Sequence, residues 1–555
     1  MATGSSEEVL AIDVQNLIES LNQADDGEAE TAENKVEEST TENLPEEGSE
    51  IDLDVVELAS TGEGLALQKG SKRVYVVPFA VPGDTVKAKV YRHLRDENHS
   101  VADFVSVVTP SPSRDDSRIQ CKYFATCSGC QFQMLDYAHQ LQLKKRIVEK
   151  AFRYFSQLPP ELVPAIRDTI GSPLQYGYRT KLTPHFDGPQ GSRRTRQPFE
   201  SCPPIGFMRK GKRSTLDIED CPIGTDAVRL GMRRERARMA EEYGKYTRGA
   251  TILLRESTKR IPKKAIGENS SSSQPSSEIE ATKDSPPPAE DEVVRVETDE
   301  YTDLKTCVTD NNGTSTEYIG PYVFHNPAGS FFQNNNSILP VFTDYIRQHI
   351  LPPSPSSPSP SPSPSSPSNT TTTTTTPQIK YLIDAYSGSG LFTITLSSLF
   401  AGGSVGIDIS DASIAYASRN ATSNALPPSR ARFVAADANA LFTEEVRARY
   451  APDETAVVLD PPRKGCDAAF LRQLLAFAPR RVVYVSCNVH TQARDVGVLV
   501  RGDTAGSGLK DADEEDVTAA GEKKTRYAIE SIRGFDFFPQ TGHVEGVAVL
   551  NRVDE

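Results

Sequence analysis

The sequence predicts an α/β protein that also carries a small β-barrel, and three observations predict it. Five short apolar runs alternate with helix-length segments between residues 381 and 487, which is typical of a parallel, doubly wound sheet. Short Val- and Tyr-rich runs separated by Gly, Pro and Asp fill residues 54–108, a pattern that favours a barrel. Residues 111–255, which follow the barrel region, are mixed and hold five of the eight cysteines.

The composition divides the chain further. Residues 1–50 are acidic and read as a disordered tail; 51–110 form the barrel, 111–330 the α+β middle domain and 331–555 the α/β domain. Polar or Pro/Ser/Thr-rich stretches that cannot bury a core predict three insertions, at 256–300, 352–377 and 502–523.

Charge and cysteine usage exclude several classes of protein. The net charge is −15, but residues 1–54 hold 17 acids and one lysine, so the rest of the chain is slightly basic. No apolar run is long enough to cross a bilayer, and the acidic N-terminus argues against a secretory signal. Eight cysteines in 555 residues do not make a disulfide scaffold. We therefore expect a cytoplasmic or nuclear protein with no membrane partner; a mitochondrial location stays open.

The end of each apolar run carries a candidate cofactor residue. The first ends in a turn with Gly388 and Gly390, the second at Asp408 and the third at Asp437. A glycine turn lets backbone approach a nucleotide, and an acid after the second strand can bind ribose hydroxyls. An ordinary βα turn is the alternative, and a dinucleotide dehydrogenase would need a stricter three-glycine motif. The pattern resembles Rossmann-like S-adenosylmethionine-dependent methyltransferases.

Three reactive side chains follow later strands. Asp460 opens Asp-Pro-Pro-Arg after strand four, where Arg463 replaces the aromatic residue usual in amine-methylating enzymes. Cys487 ends strand five, and Glu545 opens the last apolar run. Taken singly, a buried structural cysteine and a satisfied acid remain open as alternatives.

Taken in order, the motifs FFQNN (331–335), DAYSGSG (384–390), LDPPRKG (459–465), VSCN (485–488) and HVEGVAVL (543–550) resemble the RNA uracil-5-methyltransferase family. The resemblance covers most of the chain outside the insertions, and the barrel is similar to a TRAM domain, an OB-like RNA-binding module. It implies S-adenosylmethionine as cofactor, Cys487 as nucleophile and Glu545 as base. The implied cofactor-site positions are Gln333, Tyr386, Asp408, Asp437 and Asp460.

That chemistry explains the residue types. A thiolate that adds to uracil C6 makes C5 nucleophilic, and a carboxylate must then remove the C5 proton. The resemblance implies an RNA partner, most directly the T-loop uridine 54 of tRNA, with base flipping and no obligate protein partner. Ribosomal RNA and a non-catalytic RNA-binding factor are the alternatives. A DNA cytosine-5-methyltransferase would place its cysteine after strand four.

A second cysteine cluster lies in the middle segment. Cys121, Cys127 and Cys130 form C-x5-C-x2-C, and either Cys202 or Cys221 is a candidate fourth ligand. Four thiolates can hold Zn²⁺ or [4Fe–4S], and free thiols are the third possibility. Some members of the resembling family bind [4Fe–4S] through this spacing and a later Cys-Pro, which favours Cys221 in a structural or RNA-positioning role.

Basic runs add an electrostatic indication of RNA binding. The runs lie at 144–146, 193–196, 209–213 and 233–238. A solvated surface is the ordinary explanation for such a run.

Overall fold

The computed structural model describes residues 3–28, 44–189, 197–263, 292–352, 378–436, 444–509 and 525–554. The chain forms two compact units. Unit 1 comprises Met1–Ile147, Gly171–Ile338 and Asp536–His543, and unit 2 comprises Val148–Ile170, Leu339–Phe535 and Val544–Glu555.

The helices and strands are numbered in chain order. The α-helices are α1 (Ser6–Glu28), α2 (Tyr137–Phe155), α3 (Asp226–Glu242), α4 (Leu339–His349), α5 (Leu391–Thr395), α6 (Asp411–Ser423), α7 (Glu444–Arg449), α8 (Ala468–Phe477) and α9 (Val489–Arg501). The strands up to the middle of the chain are β1 (Glu50–Leu58), β2 (Gly64–Leu67), β3 (Val74–Val77), β4 (Thr85–Leu94), β5 (His99–Thr109), β6 (Arg167–Ile170), β7 (Lys181–Leu182), β8 (His185–Phe186), β9 (Gly206–Met208), β10 (Thr215–Asp217) and β11 (Ala250–Thr251). The remaining strands are β12 (Leu254–Pro262), β13 (Val294–Glu297), β14 (Tyr301–Val308), β15 (Thr314–Ile319), β16 (Tyr322–Pro327), β17 (Tyr381–Ala385), β18 (Gly403–Asp408), β19 (Ala431–Ala435), β20 (Thr455–Leu459), β21 (Arg481–Ser486), β22 (Tyr527–Phe535) and β23 (Glu545–Arg552).

The first five strands form the barrel. They close in the order β1-β2-β3-β5-β4, with β3 and β5 parallel and the other pairs antiparallel. Alternate residues of β1 and β4 point inward, so that Leu53, Val55, Val86 and Ala88 share one core with Tyr75. The alternation of apolar and polar residues in the sequence has this cause, because successive side chains of a strand face opposite sides.

The prediction of a disordered tail over residues 1–50 is wrong for its first half. Helix α1 packs Val14 and Leu17 against Leu65 and Val74 of the barrel. Asp13, which is buried, accepts a hydrogen bond from the Ser60 backbone N–H at 2.5 Å. Apolar residues recur every three or four positions along this helix, and its acidic composition concealed that period.

The predicted insertion at 256–300 is also too wide. Strand β12 pairs with β14 from Arg255 to Pro262, and β13 pairs with β14 on its other side. Arg255 and Glu256 are buried in this ladder, Arg255 with Glu317 and Glu256 with Lys305. Pairing of these charges lets a polar sequence form a regular strand.

Unit 1 also contains a buried ion pair that fixes its C-terminal segment. The Lys144 ammonium donates to Asp536 Oδ1 at 2.5 Å and to the carbonyl oxygens of Phe538 and His543. Tyr137 donates its hydroxyl to the other oxygen of Asp536. Burial lowers the pKa of Lys144, whereas Asp536 acts to raise it. The segment 536–543 is therefore held from both ends by one fully buried ammonium group.

Unit 2 is built on an eight-stranded sheet of order β19-β18-β17-β20-β21-β23-β22-β6. Strands β17 to β21 are parallel and buried, β23 runs antiparallel to β21, and β22 antiparallel to β23. All five strands expected from the apolar runs are present. The expected start of this domain at 331 differs from the structure, in which residues 331–338 belong to unit 1 and β6 joins the sheet edge beside β22.

Within the described part of the chain, no helix has both the length and the apolar character needed to cross a membrane.

Replacement of Leu17 by Ala tests the docking of α1. The lost contacts with the barrel should cost about 2 kcal/mol, so the amide groups of α1 should exchange hydrogen about 30-fold faster through local opening. Hydrogen exchange read by mass spectrometry measures this. Gln15→Ala is the matched control because Gln15 is exposed on the same helix. Equal exchange in the two variants would contradict the docking.

Replacement of Lys144 by Met should destabilise unit 1 by about 3–5 kcal/mol, because Asp536 would remain charged and buried. Chemical denaturation followed by circular dichroism measures the loss. The pair Lys144→Met/Asp536→Asn should recover part of it, whereas Lys87→Met, which removes an exposed ion pair with Asp52, should cost less than about 1 kcal/mol. A double variant no more stable than Lys144→Met would refute the pairing.

Candidate active site

Register in the sheet of unit 2 brings the two predicted catalytic residues to one edge. Ser486 of β21 lies opposite Gly546 of β23. Because these strands are antiparallel, Cys487 at the end of one and Glu545 at the start of the other leave the sheet side by side. Asp460 follows β20, the other neighbour of β21. Three reactive side chains thus come from adjacent strands.

Glu545 is a buried acid with incomplete hydrogen bonding. Its side chain is 1% exposed, and its Oε1 atom has no hydrogen-bond partner among the described residues. Burial raises its pKa well above the usual value, Asp460 raises it further, and Arg463 opposes the shift. The raised pKa means that the ionised form of Glu545 holds a proton more strongly than an exposed glutamate does, which suits a general base.

Asp460 belongs to the same group of charges. Loss of hydration raises its pKa to about 7, and the neighbouring Asp384 contributes in the same direction. Asp460 as a whole is half-buried, although its carboxyl group lies inside the protein. Asp460 and Glu545 influence each other, so they titrate as a pair rather than as separate groups.

Cys487 stands at the start of the helix α9. Asn488 caps this helix, accepting a hydrogen bond from the His490 N–H at 3.1 Å. Burial raises the pKa of Cys487 to about 12, with further contributions from Glu545 and Asp460. Arg463, which is hydrogen-bonded to the thiol, lowers it. The thiolate thus depends on protonation of the two carboxyl groups and on the arginine.

The loop that carries Arg463 is fastened to α9. Asn488 Nδ2 and Thr491 Oγ1 donate to the Arg463 carbonyl at 3.0 and 3.2 Å. Arg494 donates to the carbonyl oxygens of Lys464 and Cys466. The helix that begins beside the nucleophile therefore also sets the position of the arginine.

A buried network lies beneath this loop. Asp495 accepts from the Cys466 N–H at 2.7 Å, from the Tyr484 hydroxyl at 2.6 Å and from Arg494 at 2.7 Å. Burial raises the pKa of Asp495 to about 6, although all of these donors act to lower it. Sequence reasoning missed Asp495, because an acid inside a helix pattern gives no sign of the loop that it holds.

The residues that follow β17 and β18 are joined by hydrogen bonds. Asp408 accepts hydrogen bonds from the Gly388 and Ser410 amides at 3.0 and 2.9 Å. Gly388 has φ +53°, and a Cβ placed there would meet nothing within 4 Å, so the turn faces open space. This cradle fits a nucleoside that is bound through backbone amides and a carboxylate.

Asp384 is a second acid that the sequence reasoning did not assign to the site. Its Oδ2 atom accepts from the Thr393 backbone and hydroxyl at 2.8 and 2.7 Å, and its Oδ1 atom lacks a partner among the described residues. Burial raises its pKa to about 7, and Asp408 adds to the shift. Asp384 therefore holds the glycine turn and keeps one acceptor oxygen unused.

The other predicted cofactor residues differ in their placement. Tyr386 has φ 64°, packs on Phe470 at 5.4 Å between ring centroids and is hydrogen-bonded to Cys466. Its hydroxyl is thus already engaged within unit 2. Gln333 is buried in unit 1. Asp437 lies outside the described residues.

The cysteine cluster is a feature of unit 1. Burial raises the pKa of Cys130 and of Cys221 to about 12, and the thiols of Cys121 and Cys127 contribute to both shifts. The four thiols therefore lie near one another, whereas Cys202 is exposed.

Four cysteine thiolates are suitable ligands for an iron–sulfur cluster, but the four side chains are not arranged to hold one. Within the described ranges, no group of three or more His, Cys, Asp or Glu side chains is arranged to hold a metal ion. The iron–sulfur cluster stays a prediction.

Comparison with known proteins gives consistent matches. The family model for tRNA (uracil-5-)-methyltransferases matches residues 370–505. The tRNA (uracil(54)-C(5))-methyltransferase of Schizosaccharomyces pombe is 40% identical over 552 residues, covering 99% of this chain and 84% of the relative. The enzyme of the same name from Saccharomyces cerevisiae is 37% identical, covering 90% and 73%.

A solved structure shares the fold. The Pyrococcus abyssi tRNA (uracil-54, C5)-methyltransferase in complex with S-adenosyl-L-homocysteine superimposes with a TM-score of 0.54 and 21% sequence identity. The match covers 90% of this chain and all of that one. The arrangement of elements predicted from the sequence is therefore found in a known protein.

Alkylation of Cys487 should follow the charges around it. Arg463→Ala should slow the reaction with iodoacetamide about tenfold at pH 8, because loss of the cation raises the thiol pKa further. Glu545→Gln should speed the reaction at pH values where Glu545 is ionised. Mass spectrometry of the Cys487 peptide gives the rates, with Arg463→Lys as the control that keeps the charge. Identical pH profiles in all variants would exclude this electrostatic account.

Proposed function

The chain belongs to the tRNA (uracil-5-)-methyltransferase family, and on that premise we propose that it methylates C5 of a uridine in tRNA, at position 54 of the T-loop. The observation that carries the proposal is the meeting of Cys487, Glu545 and Asp460 at one sheet edge. A protein that only binds RNA does not need these three groups at the ends of adjacent strands. The two fungal relatives with extensive matches are both named for uracil 54.

The site supplies a nucleophile for the first step. Uracil C5 is a weak nucleophile, and the Cys487 sulfur adds to C6 to convert C5 into an enolate carbon. The thiol proton must leave for an acceptor, and the ionised form of Asp460 is next to it. Arg463 stabilises the thiolate until the bond to C6 forms.

The methyl donor is S-adenosylmethionine, which supplies an electrophilic methyl group. The residues of this chain that fit it are the Gly388 turn and Asp408, where two backbone amides already organise the carboxylate. We assign Tyr386 to the same cradle through its backbone, because its hydroxyl is bonded to Cys466. Gln333 and Asp437 remain predicted contributors.

Glu545 completes the reaction. After C5 has gained its methyl group, the C5 proton passes to a Glu545 carboxylate oxygen, and the electrons of the C–H bond re-form the C5–C6 double bond as the C6–sulfur bond breaks. Cys487 leaves as a thiolate, so the nucleophile is regenerated. Because the pKa of Glu545 is raised, its carboxylate accepts this proton more readily than that of an ordinary glutamate does.

The finer assignments of the other regions follow from the same premise. The barrel over Glu50–Thr109 resembles a TRAM module and would contact RNA without reading its bases. The middle segment would position the RNA through its basic side chains. A cytoplasmic or nuclear location accords with the abundance of free thiols.

One change in the RNA and one in the protein test the proposal, with unmodified tRNA transcripts and labelled S-adenosylmethionine. Wild type should label uridine 54, and a transcript with cytidine at that position should take up no label. Cys487→Ala should lose transfer by at least about a thousandfold, because no covalent activation of C5 remains. Label on another uridine, or transfer that survives Cys487→Ala, would contradict the proposal.

Glu545→Gln separates the two halves of the reaction. Methyl transfer to C5 should still occur, but without the base the C6–sulfur bond cannot break, so protein and RNA should remain covalently joined. Denaturing gel electrophoresis detects the adduct, and Cys487→Ala/Glu545→Gln is its control. A Glu545→Gln enzyme that releases methylated RNA at the wild-type rate would remove Glu545 from the mechanism.

A further inference from the structure

The structure separates the basic runs of the sequence by the contacts that each one makes. In the run 144–146, Lys144 is fully buried with Asp536. The run 193–196 lies outside the described residues. The run 233–238 is on α3, where three of its four arginines pair with acids. These pairs are Arg234 with Glu292, Arg236 with Asp217, and Arg238 with Glu235 and Glu242.

The run 209–213 is different because it forms the tip of a hairpin. Strands β9 and β10 are joined by residues 209–214, and the Arg209 N–H donates to the Ser214 carbonyl at 3.0 Å. Lys212 and Arg213 are exposed at this tip. Among the described residues, neither has an acidic partner, whereas Arg234, Arg236 and Arg238 of α3 have one. The charged groups of Lys212 and Arg213 are therefore available to bind a ligand.

The hairpin is held firmly at its base. The Lys210 N–H donates to the Thr126 carbonyl at 2.9 Å, and the Ser128 N–H donates to the Met208 carbonyl at 3.1 Å. These contacts join the hairpin to the segment that carries the cysteine cluster. The Lys210 ammonium also pairs with Glu63 of the barrel at 2.8 Å. Lys210 is therefore structural, and its neighbours at the tip are presented from a fixed support.

The adjacent face of the barrel continues this surface. A Cβ on Gly211 would stand 2.9 Å from Asp103 Oδ1 on β5, so the hairpin tip touches that strand. Lys89 on β4 lies opposite Asp103 and is exposed, and Tyr91, two residues further along β4, is 60% exposed. Exposed cations beside an exposed aromatic ring are typical of a surface that binds nucleic acid.

We propose that the hairpin tip, with Lys212 and Arg213 as its charged groups, binds the phosphate backbone of the RNA substrate. The inference rests on the proposed function and adds to it a surface outside the reacting groups. Phosphates are the partner that the chemistry fits, because a flexible ammonium and a forked guanidinium bind phosphate oxygens without reading bases. The hairpin thus contributes affinity and register, not turnover.

Removal of the two charges tests the surface. Lys212→Ala/Arg213→Ala should weaken tRNA binding about tenfold, and the slope of log affinity against log salt should become shallower by about 1–2. The kcat at saturating tRNA and the KM for S-adenosylmethionine should not change. The charge-preserving exchange Lys212→Arg/Arg213→Lys should retain wild-type affinity.

The matched control is Lys245→Ala/Lys263→Ala. It removes the same net charge from two exposed lysines of unit 1 that are paired with Glu242 and Glu297. It should leave tRNA affinity and the salt slope near those of wild type. An unchanged affinity and slope in the hairpin variant, or an equal loss in the control, would overturn the assignment.

Binding by filter retention needs no methyl transfer, so the two proposals fail separately. If the wild-type protein transfers no methyl group to tRNA but the hairpin variant still loses affinity and salt dependence, the proposed function fails and the phosphate surface stands. If methyl transfer proceeds while the hairpin variant binds like the wild type, the surface is wrong. Circular dichroism of each variant checks that the fold is retained.

Discussion

The site depends on one electrostatic constraint: a thiol and two carboxyl groups share a buried volume that cannot hold three negative charges. Burial raises the pKa values of Cys487, Asp460 and Glu545. The two carboxyl groups raise that of Cys487 further, and Asp460 raises that of Glu545. Arg463 opposes these shifts, because its positive charge lowers the pKa values of the Cys487 thiol and of Glu545. The Cys487 thiol and the Glu545 carboxyl group therefore carry negative charge at different stages, as addition, proton removal and elimination require.

The sheet and the first turns of α9 enforce that arrangement. Antiparallel pairing of β21 with β23 fixes where Cys487 and Glu545 leave the sheet. The Pro-Pro segment after β20 leads into a loop whose carbonyl oxygens are bound by Asn488, Thr491 and Arg494. Movement of this loop would carry Arg463 away from the thiol, so the polar network around Asp495 acts through the position of the arginine and not by contact with substrate.

Much of this arrangement could be predicted from the sequence, because strand ends of a parallel sheet are readable as apolar runs followed by polar residues. Cys487 and Asp460 follow that rule, and Glu545 opens a strand as expected. The placement of the three residues at adjacent strand ends could not be predicted from the sequence, because it depends on the antiparallel insertion of β23 between β21 and β22. The acidic composition of α1 obscures the helical period of its apolar residues. The charged residues of β12 give it the composition of a loop, although they are buried. Asp384 and Asp495 accept hydrogen bonds from backbone amides. Such contacts cannot be recognised from a sequence.

The central claim is that the resting site keeps carboxyl protons near neutral pH, and carbon-13 NMR of labelled aspartate and glutamate carboxyl groups tests it most directly. The account predicts one carboxyl signal that titrates near pH 7 and disappears in Asp460→Asn, and a second that titrates well above the usual range of a glutamate and disappears in Glu545→Gln. If both signals titrated below about pH 5, as ordinary exposed acids do, the carboxyl groups would be charged throughout and the proposed exchange of charge between thiol and base would be wrong.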